Sequence, residues 1–186
     1  MKKALLSLPV ILMLILLGSS AFIKSKNRSS VAESPVNWMS FEEALEKSKT
    51  EKRKIFIDVY TDWCGWCKVM EKNTFSEPEI AKYLNENFYP VKLDGEQKED
   101  ITFKGQTFKF VPSGRNGYHE LAAALMQNKL SYPTVVFLDE DFNMIQPLAG
   151  YQKPEPFKKI IQYIGGDHYK TMKWAEWEKN YGSKVN

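Results

Sequence analysis

The run Lys54-Ile55-Phe56-Ile57-Asp58-Val59-Tyr60 passes within four residues into Cys64-Gly65-Trp66-Cys67. The run is short, mostly apolar and bounded by charge, which suits a buried strand. The cysteines open a segment, 64–73, whose pattern predicts a helix. On a helix, positions i and i+3 share a face. Their Cα atoms then lie about 5 Å apart, a distance that a disulfide tolerates. A chain that buries this strand and presents two cysteines at the next helical turn has few folds open to it.

The flanking sequence supplies a matching frame. Phe41–Leu45 starts a helix with Ser40 as N-cap and Glu43 as its capping-box partner. The charged run 47–54 reads as a solvated helix end. A second helix spans 77–87, with Pro78 in its first turn, and a strand follows at 88–93. Residues 94–117 carry four glycines and one proline and are long for a loop. Within them, 101–103 and 107–111 suit a hairpin around Lys104-Gly105-Gln106. Further elements are a helix at 118–128, strands at 134–138 and 142–148, a helix at 154–164 closed by Gly165-Gly166, and a helix at 169–180. This order predicts an α/β domain: a mixed central sheet flanked by helices, with an insertion around 94–117.

The 186 residues suit about one domain, and the 43% hydrophobic content supports a packed core. Two cysteines exclude a multi-disulfide scaffold. Met1-Lys2-Lys3, the apolar run 4–17 and Gly18-Ser19-Ser20-Ala21 have the three-part pattern of a signal peptide cleaved after Ala21. Residues 4–23 are also long enough for an uncleaved membrane anchor. Either reading places the remainder outside the cytoplasm, as in a periplasm. Without residues 1–21 the chain carries 24 basic and 23 acidic side chains, net +1, which argues against a nucleic-acid partner. Residues 22–37 read as a linker, 38–166 as the domain and 167–186 as a C-terminal helical extension.

At the N-terminus of its helix, Cys64 meets free N–H groups and the positive end of the helix dipole, so its thiolate is favoured. Cys67, one turn in, is expected to be more buried and to keep a higher pKa. An exposed thiolate that attacks and a neighbouring thiol that resolves are what disulfide exchange needs. Three other readings stay open. A structural staple gains little from so short a loop. A zinc site wants four ligands, and only His119 and His168 are left to supply nitrogen, so no metal is expected. An inert core pair fits poorly beside the low apolarity around Cys64. His119 and His168, each isolated, read as surface or capping residues. Trp174, Trp177 and Tyr181 form a stripe suited to packing. No glycine-rich phosphate loop, paired-carboxylate constellation or nucleophile elbow is present, and no cofactor is expected.

The strand, Asp62-Trp63-Cys64-Gly65-Trp66-Cys67, the helix, and then Ser131-Tyr132-Pro133-Thr134 before another strand resemble the thioredoxin family. The likeness covers roughly 38–166 and is greatest to the exported thioredoxin-like domains of thiol–disulfide interchange proteins. It implies a thiol–disulfide oxidoreductase with Cys64 as nucleophile and Cys67 as resolving cysteine, the two forming a redox-active disulfide. It further implies a cis bond before Pro133, a buried proton-accepting carboxylate at Asp58, a lysine near it at Lys92, and a groove glycine at Gly150. Substrate would meet Trp63, Gly65, Trp66, Tyr132 and Pro133, pairing with the Tyr132 backbone as an added strand. Partners would be proteins with disulfides and a membrane or thioredoxin-type electron donor. Reduction is the favoured direction. An oxidase or isomerase, or a non-catalytic peptide-binding module, is the alternative. By residue type alone, Lys92 reads as a surface lysine. Trp66 departs from the family's usual proline, restoring a backbone N–H beside Cys64.

Overall fold

The computed structural model describes residues 35–181; the proposed signal or anchor segment, residues 22–34 of the linker and residues 182–186 lie outside the described residues. Four strands form the central sheet, in the order β2 (Phe88–Asp94), β1 (Lys54–Tyr60), β7 (Thr134–Leu138) and β8 (Met144–Ala149). β1 runs parallel to β2 and antiparallel to β7, and β7 is antiparallel to β8. The sheet is therefore mixed, as expected. β1 and β7 coincide with their predicted spans.

Side chains alternate across β1, so one strand feeds two cores. Ile55, Ile57 and Val59 join Phe41 and Ala44 of α1 (Phe41–Ser48) and Leu121 and Ala122 of α4 (Glu120–Leu125). Phe56 joins Ile80 and Leu84 of α3 (Pro78–Asn87) and Phe157 and Ile161 of α5 (Pro154–Gly165). α1 begins with the full capping box, Ser40 and Glu43 each bonding the other's backbone. Asp58 lies opposite Lys92 in the β1–β2 register.

Several elements differ from the sequence expectation. The helix opened by the cysteines, α2 (Gly65–Met70), widens into a π turn at Glu71–Phe75. The predicted hairpin is present as β3 (Ile101–Phe103) and β4 (Gln106–Phe108), but its second arm breaks at Lys109. Phe110–Val111 (β5) pairs instead with Tyr118–His119 (β6). The helix expected from 118 therefore starts at Glu120. His119 N–H donates to the Gly95 carbonyl at 2.7 Å, which holds that residue extended. His119 is fully buried rather than surface, and its Nδ1 caps α4 by accepting from Leu121 N–H. The helix predicted at 169–180 is a 3-10 turn, His168–Lys170, followed by α6 (Trp174–Asn180). Trp174 and Trp177 pack on Tyr163, and Tyr181 on Trp177, as the stripe required.

The run 47–54 is not wholly solvated. Lys54 is buried at the start of β1 and pairs with Glu140 at 2.8 Å and Asp167 at 2.9 Å. Both outer strands contain a proline, Pro90 in β2 and Pro147 in β8. Met39 meets the outer side of β2, its N–H donating to the Pro90 carbonyl and its carbonyl accepting from Lys92 N–H. Among the described residues no helix is long and apolar enough to cross a membrane.

Candidate active site

The turn after β1 delivers Cys64 to the N-cap of α2, with its backbone still extended. Its N–H donates to the Thr61 carbonyl at 3.1 Å. Its sulfur accepts the Cys67 N–H at 3.0 Å. The two sulfurs form a disulfide, with Cα atoms 5.3 Å apart. The sequence expectation of an exposed Cys64 and a more buried Cys67 does not hold in this state: the two residues are 4% and 5% exposed. Once bonded, each sulfur covers part of the other.

Two loops meet the cysteine turn. The Tyr132–Pro133 peptide is cis, and the Pro133 carbonyl accepts from Gly150 N–H at 2.8 Å. Gly150 has φ +87°, a conformation that favours glycine. Trp63 and Tyr132 contact edge to face, with centroids 5.8 Å apart, which links the cysteine turn to the proline loop. On the other side Trp66 lies against Tyr151 at 5.6 Å. Trp63 and Trp66 are 59% and 62% exposed, so two indoles flank the disulfide on the surface. Trp63 is held from behind by Glu96, which accepts its Nε1–H at 2.9 Å. Gly65 has open space where a side chain would be. Gly95 has none: a Cβ there would stand 2.4 Å from the Tyr132 hydroxyl.

Beneath the disulfide is a charged cluster. Asp58 is fully buried, and its Oδ2 accepts from Lys92 Nζ at 2.7 Å. Lys92 is only partly exposed and also pairs with Glu71. The surface-lysine reading of Lys92 is thus corrected. Its ammonium lies 4.7 Å from the Trp38 ring and 5.1 Å from the Tyr60 ring, and the Trp38 indole N–H donates to Glu71. Burial pushes the Asp58 carboxyl up to about 6, against the opposing pull of Lys92. Burial alone would lower Lys92, but Asp58 and Glu71 outweigh it and hold the ammonium above its usual range. A cleft of about 430 Å³ opens onto this cluster, with Cys67, Thr61, Glu71 and Lys92 in its walls.

Of the residues that the sequence singles out, the fold joins Cys64 to Cys67, Trp63 to Tyr132, Asp58 to Lys92 and Gly150 to Pro133, and it sets Cys67 and Lys92 in the wall of one cleft. Glu71 and Trp38 were not anticipated. A glutamate seven positions after the first cysteine carries no motif, and only the turn of the helix brings it to Lys92.

The family model Thioredox_DsbH, described as a protein of unknown function (DUF255), matches residues 19–162. Among curated proteins, the chain is 30% identical over 151 residues to uncharacterized protein B0495.5 of Caenorhabditis elegans, covering 80% of this chain and 18% of that protein. It is 28% identical over 130 residues to the thiol:disulfide interchange protein DsbD of Vibrio vulnificus, covering 69% of this chain and 19% of DsbD. The chain thus spans less than a fifth of the length of these relatives. Among solved structures, a DsbH oxidoreductase superposes with a TM-score of 0.52 at 18% identity, over 74% of this chain and 89% of that one. A thioredoxin from Thermus thermophilus superposes with a TM-score of 0.53 at 20% identity, over 73% and 94%. The fold is that of thioredoxin, its two cysteines stand as a disulfide at the start of a helix, and the chain belongs to the Thioredox_DsbH family.

Proposed function

We propose that this chain is a thiol–disulfide oxidoreductase that reduces disulfides of protein substrates outside the cytoplasm. The observation that carries the reading is a disulfide at a helix start with a fully buried carboxylate in the sheet beneath it. The relative named thiol:disulfide interchange protein supports the reaction class. The signal-peptide pattern of residues 1–21 supports the compartment.

In the reduced enzyme, Cys64 is the nucleophile. The Cys67 N–H aimed at its sulfur and the start of α2 stabilise negative charge there. Cys64 attacks one sulfur of a substrate disulfide, forming a mixed disulfide and expelling the other sulfur as thiolate. Cys67 then loses its proton and attacks Cys64 Sγ. The second substrate thiolate leaves, and the enzyme ends as the observed disulfide. A carboxyl raised to about 6 is mostly ionised at neutral pH yet basic enough to accept the Cys67 proton through an intervening water. Trp63 and Trp66 offer apolar surface to the substrate, and the Tyr132 backbone an edge for an extended segment. A membrane or thioredoxin-type donor restores the dithiol.

The test is insulin disulfide reduction with dithiothreitol as the donor. The wild-type chain should accelerate it, and Cys64→Ala should fall to the rate of dithiothreitol alone. Cys67→Ala should accumulate mixed disulfides with the substrate. A wild-type rate no higher than background, or an unimpaired Cys64→Ala, overturns the enzyme reading and leaves a peptide-binding module.

A further inference from the structure

Thr61 is 1% exposed, and its hydroxyl has no hydrogen-bond partner among the described residues. The same is true of Asp58 Oδ1, the carboxylate oxygen that Lys92 does not engage. An unpaired buried hydroxyl is costly, so its position calls for a partner. Two facts link Thr61 to the cysteine turn and to the cleft beside it. The Thr61 carbonyl holds Cys64 N–H, which ties the residue rigidly to the cysteine turn. Thr61 also shares the walls of the 430 Å³ cleft with Cys67 and Lys92. A site with several polar groups and this much room holds water. A hydroxyl brings one donor and two acceptors to it, whereas valine of the same shape brings none.

We propose that Thr61 is a positioning residue for the resolving step: its hydroxyl holds the water that passes the Cys67 proton to Asp58 Oδ1. The inference rests on the reductase reading above and adds a residue to it. In the step, the Cys67 S–H proton moves to the water while a water proton moves to the Asp58 carboxylate. The Cys67 sulfur bonds to Cys64 Sγ, and the bond from Cys64 Sγ to the substrate sulfur breaks, its electron pair leaving on the substrate thiolate. Thr61 gains and loses nothing. It fixes where the water sits, so its loss affects resolution and leaves the first attack by Cys64 alone.

The experiment uses the reduced chain and glutathione disulfide. On a Cys67→Ala background, mass spectrometry follows glutathionylation of Cys64, the first step. With Cys67 present, release of the second glutathione follows closure of the enzyme disulfide. Thr61→Val should slow closure about tenfold, the worth of one hydrogen bond to an ionising group, and leave glutathionylation unchanged. Thr61→Ser, which keeps the hydroxyl, should restore the wild-type closure rate. If Thr61→Val does not fold, Thr61→Ala against Thr61→Ser provides the same contrast. Closure at the wild-type rate in the variant without a hydroxyl, or a serine variant as slow as it, overturns the inference. Absent glutathionylation of Cys64 would instead defeat the reductase reading itself.

Discussion

β1 carries a lysine-centred ion cluster at each end, and the two behave in opposite ways. At its start, Lys54 is the buried member, and its partners Glu140 and Asp167 keep contact with water. Near its end, Asp58 is the buried member, and Lys92 and Glu71 are the hydrated ones. Desolvation acts on both Asp167 and Asp58. At Asp167, hydrogen bonds from Lys170 and Lys54 overcome it and hold the carboxyl below its usual range. At Asp58, desolvation wins over a single lysine and the carboxyl rises to about 6. Which partner loses its water decides whether such a cluster clamps the chain or stores a proton.

The pH dependence of stability tests this contrast most strongly. Asp58 binds its proton more tightly folded than unfolded, so its contribution is full below the unfolded pKa and is lost as pH rises through about 6. A rise from 3.8 to about 6 corresponds to about 3 kcal/mol. Urea unfolding of the oxidised wild type, measured against Asp58→Asn from pH 4 to 8, should show the wild type losing about that much relative to the variant. A difference that stays flat would mean that Asp58 is ionised throughout. Asp167 has the reverse sign: its depressed pKa gives stability above the unfolded pKa that fades on acidification.

Kinetics provide the next test. Asp58→Asn should slow mixed-disulfide resolution near neutral pH by about 100-fold, the worth of a placed base, with Cys64 alkylation little changed. Equal slowing of both steps would move the role of Asp58 from proton transfer to general packing. At the other end of the strand, Lys54→Met should cost about 1 kcal/mol in urea unfolding and leave both steps at wild-type rates, because Glu140 and Asp167 can rehydrate. A redox defect there would erase the distinction between the two ends. The smallest effect belongs to Glu71→Gln. It removes a like charge that raises Asp58, so the carboxyl should titrate slightly lower, as read by carbon NMR of Asp58. An upward shift would show that Glu71 acts mainly by holding Lys92.

Local patterns in the sequence predicted the parts of the molecule that depend on near neighbours. The capping box at Ser40 and Glu43 and the two interior strands follow from spacing and apolar runs, and they fold as read. The cysteine turn was legible for the same reason. What escaped depends on distant partners. Lys54 meets Glu140 and Asp167 only after β7, β8 and α5 are in place, and by type alone it belonged to a solvated charge run. Glu71 meets Lys92 across 21 residues. Tyr118 and His119 continue a helical pattern in sequence, yet backbone bonds to β5 and Gly95 draw them into a ladder. The relative burial of the cysteines is not legible from two separate thiols, because the bonded pair shields itself.

The prolines in the two outer strands bear on whether another chain can extend the sheet. A sheet rim with a complete row of N–H and C=O groups would capture extended segments indiscriminately and invite aggregation. Pro90 and Pro147 each remove one donor from their strand. The rims are thereby blunted, and Met39 already occupies part of the β2 side, so edge-to-edge growth of this sheet by another chain is disfavoured.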